Sequence, residues 1–471
     1  MVSPTINYDD VQGTILRGYR VNFARHFILK ITNAQATAKL LQALISGSDG
    51  FPKITTAQRI EKRPPSFLNV SFTCAGLATM GVTTEELKTF DESFQLGASN
   101  TTVANKIGDV GSSAPENWVG GLGDGQHVHF LVSLWVRESQ EVLESVSAKL
   151  NAGFAGAATV LLVQDANALP DNKVHFGYRD SIAQPTVLGA PPGKYPPDDQ
   201  PPVATGEFLL GYKNEIGGTY KVSPKQLSTN SSYAAFRILE QDVAGFEALL
   251  KNVATKTGLD SEMVAAKICG RWRNGNPLAL SPTQQEPLLP TEQLNNFTYV
   301  QPPAETDDTL GLTCPIGSHI RRNNPRNGAV VGTDSTHHRI IRRAMPYGAA
   351  YAPQHPDTIK RGLVGYFINA SVKYQFEFLT GQWDLKSDFV KSATAPGGIP
   401  TGNAVFNISG EDVFLGVNDP SSSSFTFAGD GKNGSQNVTG FGRTITTRGS
   451  VYCFFPSITG LKYLTTLPTP N

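Results

Sequence analysis

Residues Arg25–Ile31, with the sequence RHFILKI, have the apolar character of a β-strand, and the segment that follows has the spacing of a helix. In that segment, Ala34–Ile45, apolar side chains recur at three- and four-residue intervals, which is the period of one helical face. The same order returns later in the chain, where Tyr233–Glu240 is predicted to be a strand and Val243–Val253 an amphipathic helix. This repeat predicts two similar units within one chain.

A second strand–helix pair is predicted in each unit. In the first unit the pair is His127–Val136 and Glu138–Leu150. In the second unit the counterpart is less distinct, and Val364–Gly381 is predicted to be helical. Two antiparallel sheets that each carry helices on one face satisfy these signals, so the predicted fold class is α+β.

A Pro-rich segment at residues 191–202 favours a boundary between the two units. We therefore expect one domain at residues 1–210 and another at residues 211–471. The chain has 471 residues, which is long enough for two packed domains that share a sizeable core.

The charge balance excludes some classes of partner. Lys plus Arg number 40 and Asp plus Glu also number 40, so no net field attracts nucleic acid or an anionic membrane. No apolar run is long enough to span a bilayer. The four cysteines lie far apart and form no CxxC pair, which predicts neither a zinc site nor a disulfide framework.

The stretch Phe176–Pro185, with the sequence FGYRDSIAQP, contains a single acid, Asp180, between an extended run (Lys173–Phe176) and a turn that ends at proline. Gly177 gives the backbone conformational freedom just before that acid. This arrangement indicates an aspartate presented at the mouth of a cavity. An aspartate that accepts N–H groups within its own turn is the alternative interpretation.

A second group of basic and polar residues lies far downstream. Its first part is Cys314–Arg326, with the sequence CPIGSHIRRNNPR, and its second part is Arg339–Gly348, with the sequence RIIRRAMPYG. The proline and glycine just before His319 indicate that the backbone around this histidine has a special shape.

In these segments the chain resembles the dye-decolorizing peroxidases, haem enzymes of fungi and bacteria, and most closely their fungal branch. Asp9–Gly18 is similar to the N-terminal signature of the family, and Gly177–Ser181 matches its Gly-x-x-Asp-Gly motif except at the last position. His319 with its flanks matches the proximal-histidine segment, and Gln375–Phe378 followed by Trp383 matches a late helix. The resemblance implies two tandem ferredoxin-like domains that enclose a haem.

The resemblance also implies roles for single residues. His319 corresponds to the axial ligand of the haem iron, and Asp412 to the acid that accepts its other ring N–H. A turn aspartate is the alternative for Asp412. Asp180 corresponds to the residue that takes a proton from hydrogen peroxide and returns it to the leaving oxygen. Arg342 corresponds to the fixed positive charge beside the peroxide.

Several other arginines are candidates for binding the haem propionates. Helical spacing would bring Arg339 near Arg342, so Arg339 and Arg343 are alternatives for either task. Arg321 is a candidate cofactor-binding residue, and Arg326 is a second one. For both, solvation at the surface is the alternative.

Tyr347 and Trp383 match family positions that carry electrons from the surface, because a bulky dye cannot reach a buried haem. Buried packing is the alternative for both residues. Two positions depart from the family pattern. Ser181 replaces the second glycine of the Gly-x-x-Asp-Gly motif, so the turn must accept a side chain. Gly365 aligns where a phenylalanine often stands, which would widen the pocket on the peroxide side.

The expected cofactor is one non-covalent haem b per chain, since no CxxCH motif is present to attach it. The expected function is reduction of hydrogen peroxide and oxidation of bulky anthraquinone-type dyes and phenolic reductants through a ferryl intermediate. We expect a monomer or weak dimer without nucleic-acid or membrane partners. A haem-binding or haem-release protein without catalysis is one alternative. A metal-dependent oxidase or binding protein that uses the pairs His127/His129 and His337/His338 is the other, although no third ligand lies near them in the sequence.

The first residues contain neither a basic nor an apolar leader, which predicts a cytosolic chain or a secreted chain whose signal peptide has been replaced. Several Asn-x-Ser/Thr sequences would accept glycans in a secreted protein. Together with the resemblance to fungal enzymes, these features lead us to expect an extracellular protein.

Overall fold

The computed structural model describes residues 5–191, 200–299, 308, 311–326, 335–386, 394–395, 399–400, 410–428 and 435–468. Most of the Pro-rich segment used to predict the domain boundary, residues 192–199, lies outside this range. The boundary at residue 210 therefore stays a prediction. In the described parts of the chain, no helix combines the length and the apolar character needed to cross a membrane.

The strands within the described residues are β1 (Phe23–Ile31), β2 (Ser66–Phe72), β3 (Phe130–Val136), β4 (Ala158–Asn167), β5 (Ser232–Gln241), β6 (Ile341–Tyr347), β7 (Gly362–Asn369), β8 (Thr394–Ala395), β9 (Ile399–Pro400), β10 (Ser424–Ala428), β11 (Ser435–Thr439) and β12 (Ile445–Phe455).

The α-helices are α1 (Gly13–Leu16), α2 (Ala34–Ser46), α3 (Cys74–Thr79), α4 (Thr84–Leu87), α5 (Glu92–Leu96), α6 (Thr101–Lys106), α7 (Gln140–Phe154), α8 (Lys225–Ser228), α9 (Val243–Thr257), α10 (Ser261–Cys269), α11 (His319–Asn323) and α12 (Ile458–Leu464). Two π-helical segments, Val372–Phe376 and Leu379–Asp384, follow β7.

Eight of these strands form one antiparallel sheet in the order β4-β1-β3-β2-β12-β5-β7-β6. The first half contributes β1 to β4, and the second half contributes β5, β6, β7 and β12. When the strands of each half are numbered along the chain, their order in the sheet is 4-1-3-2 in both halves. This is the ferredoxin-like order, so the predicted α+β class with two tandem ferredoxin-like units is confirmed. The halves join where Phe72 of β2 pairs with Phe454 of β12, and the edge strands β4 and β6 contact each other. The sheet therefore curves into a barrel with a core shared by both halves.

The central strands form because apolar and β-branched residues cover both of their faces. Every residue of β2 and β3 is buried. One face of each strand packs into the barrel interior, and the other packs beneath helices or loops. The predicted strands β1 and β5 are confirmed at nearly their predicted bounds, whereas the strand predicted from His127 begins only at Phe130.

The predicted helices α2, α7 and α9 are confirmed, and each starts at a side-chain cap. The side chain of Asn33 accepts the N–H of Ala36 at the start of α2, and that of Asp242 accepts the N–H of Gly245 at the start of α9. These bonds satisfy N–H groups that a helix end leaves without partners.

The single helix predicted over Val364–Gly381 is wrong. The first part of this segment is β7, which pairs with β5 on one side and with β6 on the other. Only after Asn369 does the chain turn helical, with Ser371 capping the first π-helical segment. Pairing on both edges overrides the helical spacing of the sequence, because a central strand satisfies its backbone with neighbours far away in the chain.

The extended run predicted at Lys173–Phe176 is also wrong as a strand. A single bridge joins Lys173 to Arg179, and the N–H of Gly177 donates to the carbonyl of Val174. This segment is therefore a tight turn and not a strand.

A buried ion pair ties the loop after α6 to the sheet. Arg237 of β5 donates to both carboxylate oxygens of Asp109, at 2.5 and 2.8 Å, and Thr447 of β12 donates to one of them at 2.7 Å. Asp109 is 2% exposed and the side chain of Arg237 is 9% exposed. Because both charges are largely removed from water, each depends on the other for compensation.

We predict that Asp109→Asn lowers the free energy of unfolding by about 3–5 kcal/mol, since it leaves the buried guanidinium of Arg237 without its counter-charge. Equilibrium urea unfolding measures the change. The matched control is Asp165→Asn, which removes a half-exposed partner of Arg25 and is expected to cost less than about 1 kcal/mol. Equal losses in the two variants would contradict the assignment of a buried ion pair.

Candidate functional site

A cavity of about 1310 Å³ lies against the β5–β7–β6 part of the sheet. Phe236 and Tyr366 point from these strands into the barrel, where their rings contact His26 of β1. Because side chains alternate along a strand, Arg237 and Phe367 face the opposite way and line the cavity. The volume exceeds the roughly 300–1,000 Å³ of most small-molecule pockets, so the cavity has room for a bulky cofactor.

Strand register places Arg342 on the cavity face. Arg342 of β6 lies directly opposite Phe367 of β7, and Ala344 lies opposite Gly365. Paired residues of an antiparallel sheet share a face, so these side chains point together into the cavity. The remaining walls include residues 178–191, the turn at 414–415 and, from α11, His319, Ile320 and Asn323.

His319 is the first residue of α11 and lines the cavity. Its Nδ1 lies 3.1 Å from Oδ2 of Asp412, and its ring packs edge-on against Phe414, with 5.4 Å between the ring centroids. No group among the described residues hydrogen-bonds its Nε2. The side chain is 23% exposed, whereas that of Asp412 is fully buried. One ring nitrogen is therefore fixed by the protein and the other is available to the cavity.

The turn around Asp412 fixes its carboxylate. The N–H groups of Phe414 and Leu415 each donate to its Oδ1 at 2.8 Å, while Oδ2 faces His319. Burial alone would raise the pKa of Asp412, but the nearby charges of His319 and Arg322 and these N–H groups hold it below its ordinary value. Asp412 is therefore ionised at neutral pH.

The same contact acts on the histidine. Burial alone would lower the pKa of His319, but the charge and the hydrogen bond of Asp412 outweigh burial and raise it. A carboxylate that accepts the Nδ1 proton fixes the tautomer and increases the electron density at Nε2. Such a histidine is suited to donate Nε2 to a metal ion.

Two further residues support this pair. The fully buried Arg322 donates to the carbonyls of Gly317, Trp383 and Gly410, so it joins α11 to the turn that carries Asp412. The carbonyl of Asp384 accepts the N–H of Asp412 at 2.6 Å.

Asp384 also accepts a hydrogen bond from Asn323. Burial and the charge of Asp412 raise the pKa of Asp384, whereas His319 and Arg322 lower that of Asp412, so Asp384 is the carboxyl group of the two that holds a proton more readily and Asp412 the one that carries the negative charge. The sequence interpretation missed Arg322 and Asp384, because no local pattern separates them from neighbouring polar residues.

Arg321 is not among the residues that line the cavity, and its role in binding a propionate stays a prediction. Its guanidinium pairs with the buried Asp308 at 3.0 Å, donates to the carbonyl of Cys314 at 2.6 Å and lies over the ring of Tyr299. His319 and Arg321 are two residues apart on α11 and therefore lie on nearly opposite sides of the helix, so His319 faces the cavity and Arg321 faces Asp308.

Asp180 lines the cavity, as predicted, from the loop after the turn at Gly177. Its N–H donates to the carbonyl of Asn172 at 2.8 Å, and the side chain is partly buried. Gly177 has φ 86°, a conformation that favours glycine. Gly177 therefore adopts a backbone conformation that other residues rarely take, as expected from the sequence.

The loop that carries Asp180 is hydrogen-bonded to Arg342. Gln184 accepts the N–H of Arg342 at 3.0 Å and donates to its carbonyl at 3.2 Å, while the guanidinium donates to the carbonyl of Ala183 at 2.5 Å. Asp180 and Arg342 thus lie on one wall of the cavity, because Ala183 and Gln184 of the Asp180 loop hydrogen-bond Arg342. Gln184 was missed by the sequence interpretation, since a single glutamine in a loop carries no recognisable signal.

The remaining arginines occupy different places. Arg339 and Arg326 line the cavity, and Arg326 also donates to the carbonyls of Asn295 and Phe297. Arg343 also borders the cavity, but its guanidinium donates to the carbonyls of Thr14 and Ile15. The helical spacing assumed for these arginines is wrong, because Arg342 and Arg343 belong to a strand and point to opposite faces.

Gly365 lines the cavity, but its lack of a side chain has a backbone cause. A Cβ at this position would lie 2.1 Å from the carbonyl oxygen of Arg343 on the neighbouring strand. The close approach of β6 and β7 therefore requires glycine, and the expectation that Gly365 replaces a pocket phenylalanine is not supported.

Tyr347 and Trp383 are both buried, at 9% and 3% exposure. Burial raises the pKa of Tyr347 above its ordinary value. Trp383 packs against Phe378 and His338. Neither residue lines the cavity, and their roles in electron transfer stay predictions.

The paired histidines have local structural partners. Nδ1 of His127 lies 2.7 Å from Asp124, and Nδ1 of His129 accepts the N–H of Ile31. His338 contacts the carbonyl of Tyr374. Within the described ranges, the one cluster of His, Cys, Asp or Glu groups close enough to hold a metal ion is that of His319, Asp384 and Asp412.

Ser181, the departure from the Gly-x-x-Asp-Gly motif, has φ 63° and is exposed. A residue with a Cβ costs about 1–2 kcal/mol in this left-handed region. We predict that Ser181→Gly raises the free energy of unfolding by about 0.5–1 kcal/mol, because the relief of strain exceeds the entropy that glycine adds to the unfolded chain. Urea unfolding measures the change. Ser181→Ala keeps the Cβ and is expected to gain nothing; an equal gain in both variants would contradict the explanation.

Comparison with known proteins agrees with this geometry. The family described as the DyP dimeric alpha+beta barrel domain matches residues 10–170. A dye-decolorizing peroxidase of Mycetinis scorodonius is 27% identical, over 98% of this chain and 88% of that protein. One from Mycena epipterygia is 29% identical, over 97% of this chain and 86% of that protein.

Solved structures agree as well. A crystal structure of DyP superposes with a TM-score of 0.82 and 25% identity, covering 99% of this chain and 100% of that chain. A fungal DyP-type peroxidase from Auricularia auricula-judae gives a TM-score of 0.81 at 24% identity, covering 98% and 100%, and shows the shared fold. Together with the site geometry, these likenesses confirm the resemblance read from the sequence: the chain is similar to the dye-decolorizing peroxidases, and the curated relatives named above are fungal members of that family.

Proposed function

We propose that the chain is a haem b peroxidase that reduces hydrogen peroxide and oxidises aromatic dyes and phenols. The observation that carries the proposal is His319, whose Nδ1 faces the buried carboxylate of Asp412 while its Nε2 is available to the large cavity. Imidazole with this support is a common ligand of haem iron in peroxidases.

The cavity residues fit a haem. Phe367, Leu379 and Phe414 would form apolar walls for a flat macrocycle, and Nε2 of His319 would hold its iron. The cationic side chains of Arg326 and Arg339 also line the cavity and suit carboxylate substituents. When bound, haem supplies the iron that passes electrons from a reducing substrate to peroxide.

Asp180 is proposed to move the proton. A peroxide oxygen must lose a proton before its bond to the second oxygen can break, and the departing oxygen must gain one. A carboxylate at the cavity wall performs both transfers if it accepts the first proton and then donates it. No other acidic side chain lines this cavity among the described residues.

Arg342 is proposed to stabilise the negative charge that develops as the two oxygens separate. A guanidinium keeps its charge at every working pH. The bonds from Gln184 and Ala183 hold Arg342 in place before substrate arrives, so little reorganisation is needed during the reaction.

Phenols and dyes are the proposed reductants. A dye-decolorizing peroxidase that shares this fold with a TM-score of 0.80 was solved in complex with 2,6-dimethoxyphenol. We extend that class of substrate to this chain as part of the proposal, together with an extracellular location like that expected from its sequence.

The test of the acid–base role is Asp180→Asn. We expect kcat/KM for peroxide to fall by about 10²–10⁴-fold, because the amide neither accepts nor donates the proton. Haem binding, followed by the Soret absorbance band, is expected to persist. The matched control is Asp171→Asn, which changes an exposed acid in the preceding turn and leaves the cavity intact. Full activity of the Asp180 variant would exclude the role.

The test of the axial ligand is His319→Ala. We expect haem affinity to fall by more than the roughly 10- to 100-fold that loss of an outer partner of a metal ligand costs. Titration of the protein with haemin, read at the Soret band, gives the affinity. The control His127→Ala changes an exposed histidine far from the cavity and is expected to bind normally. Unchanged affinity in the His319 variant would assign the ligand elsewhere.

A haem carrier without catalysis predicts a different pattern: a normal Soret band in the wild-type protein without peroxide-dependent oxidation of 2,6-dimethoxyphenol. The two assays together therefore separate the enzyme from the carrier.

A further inference from the structure

A second cavity, of about 670 Å³, opens beside the large one. Arg17, Tyr19, Arg20 and Arg63 line both cavities, so the two are neighbours with a shared wall, whereas Arg59 lines the smaller one alone. We call the smaller one the arginine pocket; the lining residues that matter here are Arg17, Tyr19, Arg20, Arg59, Arg63 and Phe67.

The lining of the arginine pocket is strongly cationic. Four arginines line it, and no acidic residue is among the lining side chains in the described part of the chain. Arg17, Arg59 and Arg63 form no ion pair with the described residues, although the exposed Glu61 lies on the same loop. Arg17 is held by a 2.6 Å bond from its Nε to the carbonyl of Ala57.

Like charges face one another here. Burial lowers the pKa of Arg17, and the charge of Arg59 adds to that effect. Adjacent guanidinium groups without intervening carboxylates repel one another, and a bound anion relieves that repulsion. Guanidinium groups bind carboxylates and sulfonates through paired N–H donors, so the pocket is chemically complementary to an anion of this kind.

An aromatic wall completes the pocket. The rings of Tyr19 and Phe67 stack with 4.3 Å between centroids and an interplanar angle of 10°. Tyr8 and Ile60 add further apolar surface. Trp135, which lines the large cavity, meets Tyr19 edge-on at 6.1 Å. A flat ring can therefore pack against this wall while its charged substituent faces the arginines.

We propose that the arginine pocket binds an aromatic reductant that carries a carboxylate or sulfonate, and that Arg59 and Arg63 make the protein prefer such anions over neutral phenols. This inference rests on the proposed function, because a reductant bound in the arginine pocket would lie next to the haem cavity. Its volume suits a small aromatic molecule rather than a nucleic acid or a protein.

The experiment compares two ligands that differ by one group: 2,6-dimethoxyphenol, which is neutral, and 4-hydroxy-3,5-dimethoxybenzoate, which adds a carboxylate. Calorimetry on the haem-loaded protein without peroxide gives Kd for each, and steady-state kinetics with peroxide give KM. The variant is Arg59→Gln with Arg63→Gln. The control is Lys62→Gln, which removes a positive charge from the same loop at an exposed position outside the pocket lining.

We expect the double variant to raise Kd and KM for the carboxylate by about 5- to 10-fold and to leave those for the neutral phenol within about twofold. Lys62→Gln is expected to change neither ligand, and high salt is expected to weaken carboxylate binding to the wild type. Equal weakening by the control, or no change in the double variant, would overturn the assignment.

The two proposals fail separately. If the wild-type protein oxidises neither compound but still binds the carboxylate through Arg59 and Arg63, the arginine pocket stands and the peroxidase function does not. If it oxidises both compounds with constants that the double variant leaves unchanged, the function stands and the assignment of the pocket is wrong.

Discussion

The hydrogen bond between His319 and Asp412 is the constraint around which the rest of the site is arranged. It joins the first residue of a one-turn helix to a fully buried carboxylate from a segment far along the chain. Two backbone N–H groups and the nearby Arg322 keep that carboxylate ionised, and Asp384 beside it is the carboxyl group of the two that holds a proton more readily. The imidazole is therefore fixed in position and tautomer before any ligand binds.

The wall that carries Asp180 and Arg342 is held by hydrogen bonds between the loop of Asp180 and strand β6. Gln184 holds the backbone of Arg342 at both its N–H and its carbonyl, and Ala183 receives the guanidinium. Because Asp180 lies on the same loop, the acid and the cation are positioned together. Arg342 belongs to β6, which pairs with β7 in the main sheet. The sheet therefore anchors this wall, although much of the cavity lining is loop.

The sequence predicted the repeated strand–helix order because amphipathic periodicity and caps are local properties. It failed at Val364–Gly381, where a strand is stabilised by partners on both sides that no local window contains. The motif positions predicted that His319, Asp180 and Arg342 would share a site, and the structure places all three at one cavity. The direction of each side chain was not predictable: Arg321 turns to Asp308 and Arg322 to backbone carbonyls, although the two are neighbours of the same type.

The decisive measurement is resonance Raman spectroscopy of the ferrous, haem-loaded protein, because the iron–histidine stretching band reports both whether a histidine binds the iron and the charge on the group that accepts its other N–H. We predict an iron–histidine band in the wild-type protein and a shift to lower frequency in Asp412→Asn, where the partner of Nδ1 is no longer anionic. A band that is unchanged by this substitution, or no iron–histidine band at all, would contradict the proposal that His319, supported by Asp412, holds the iron.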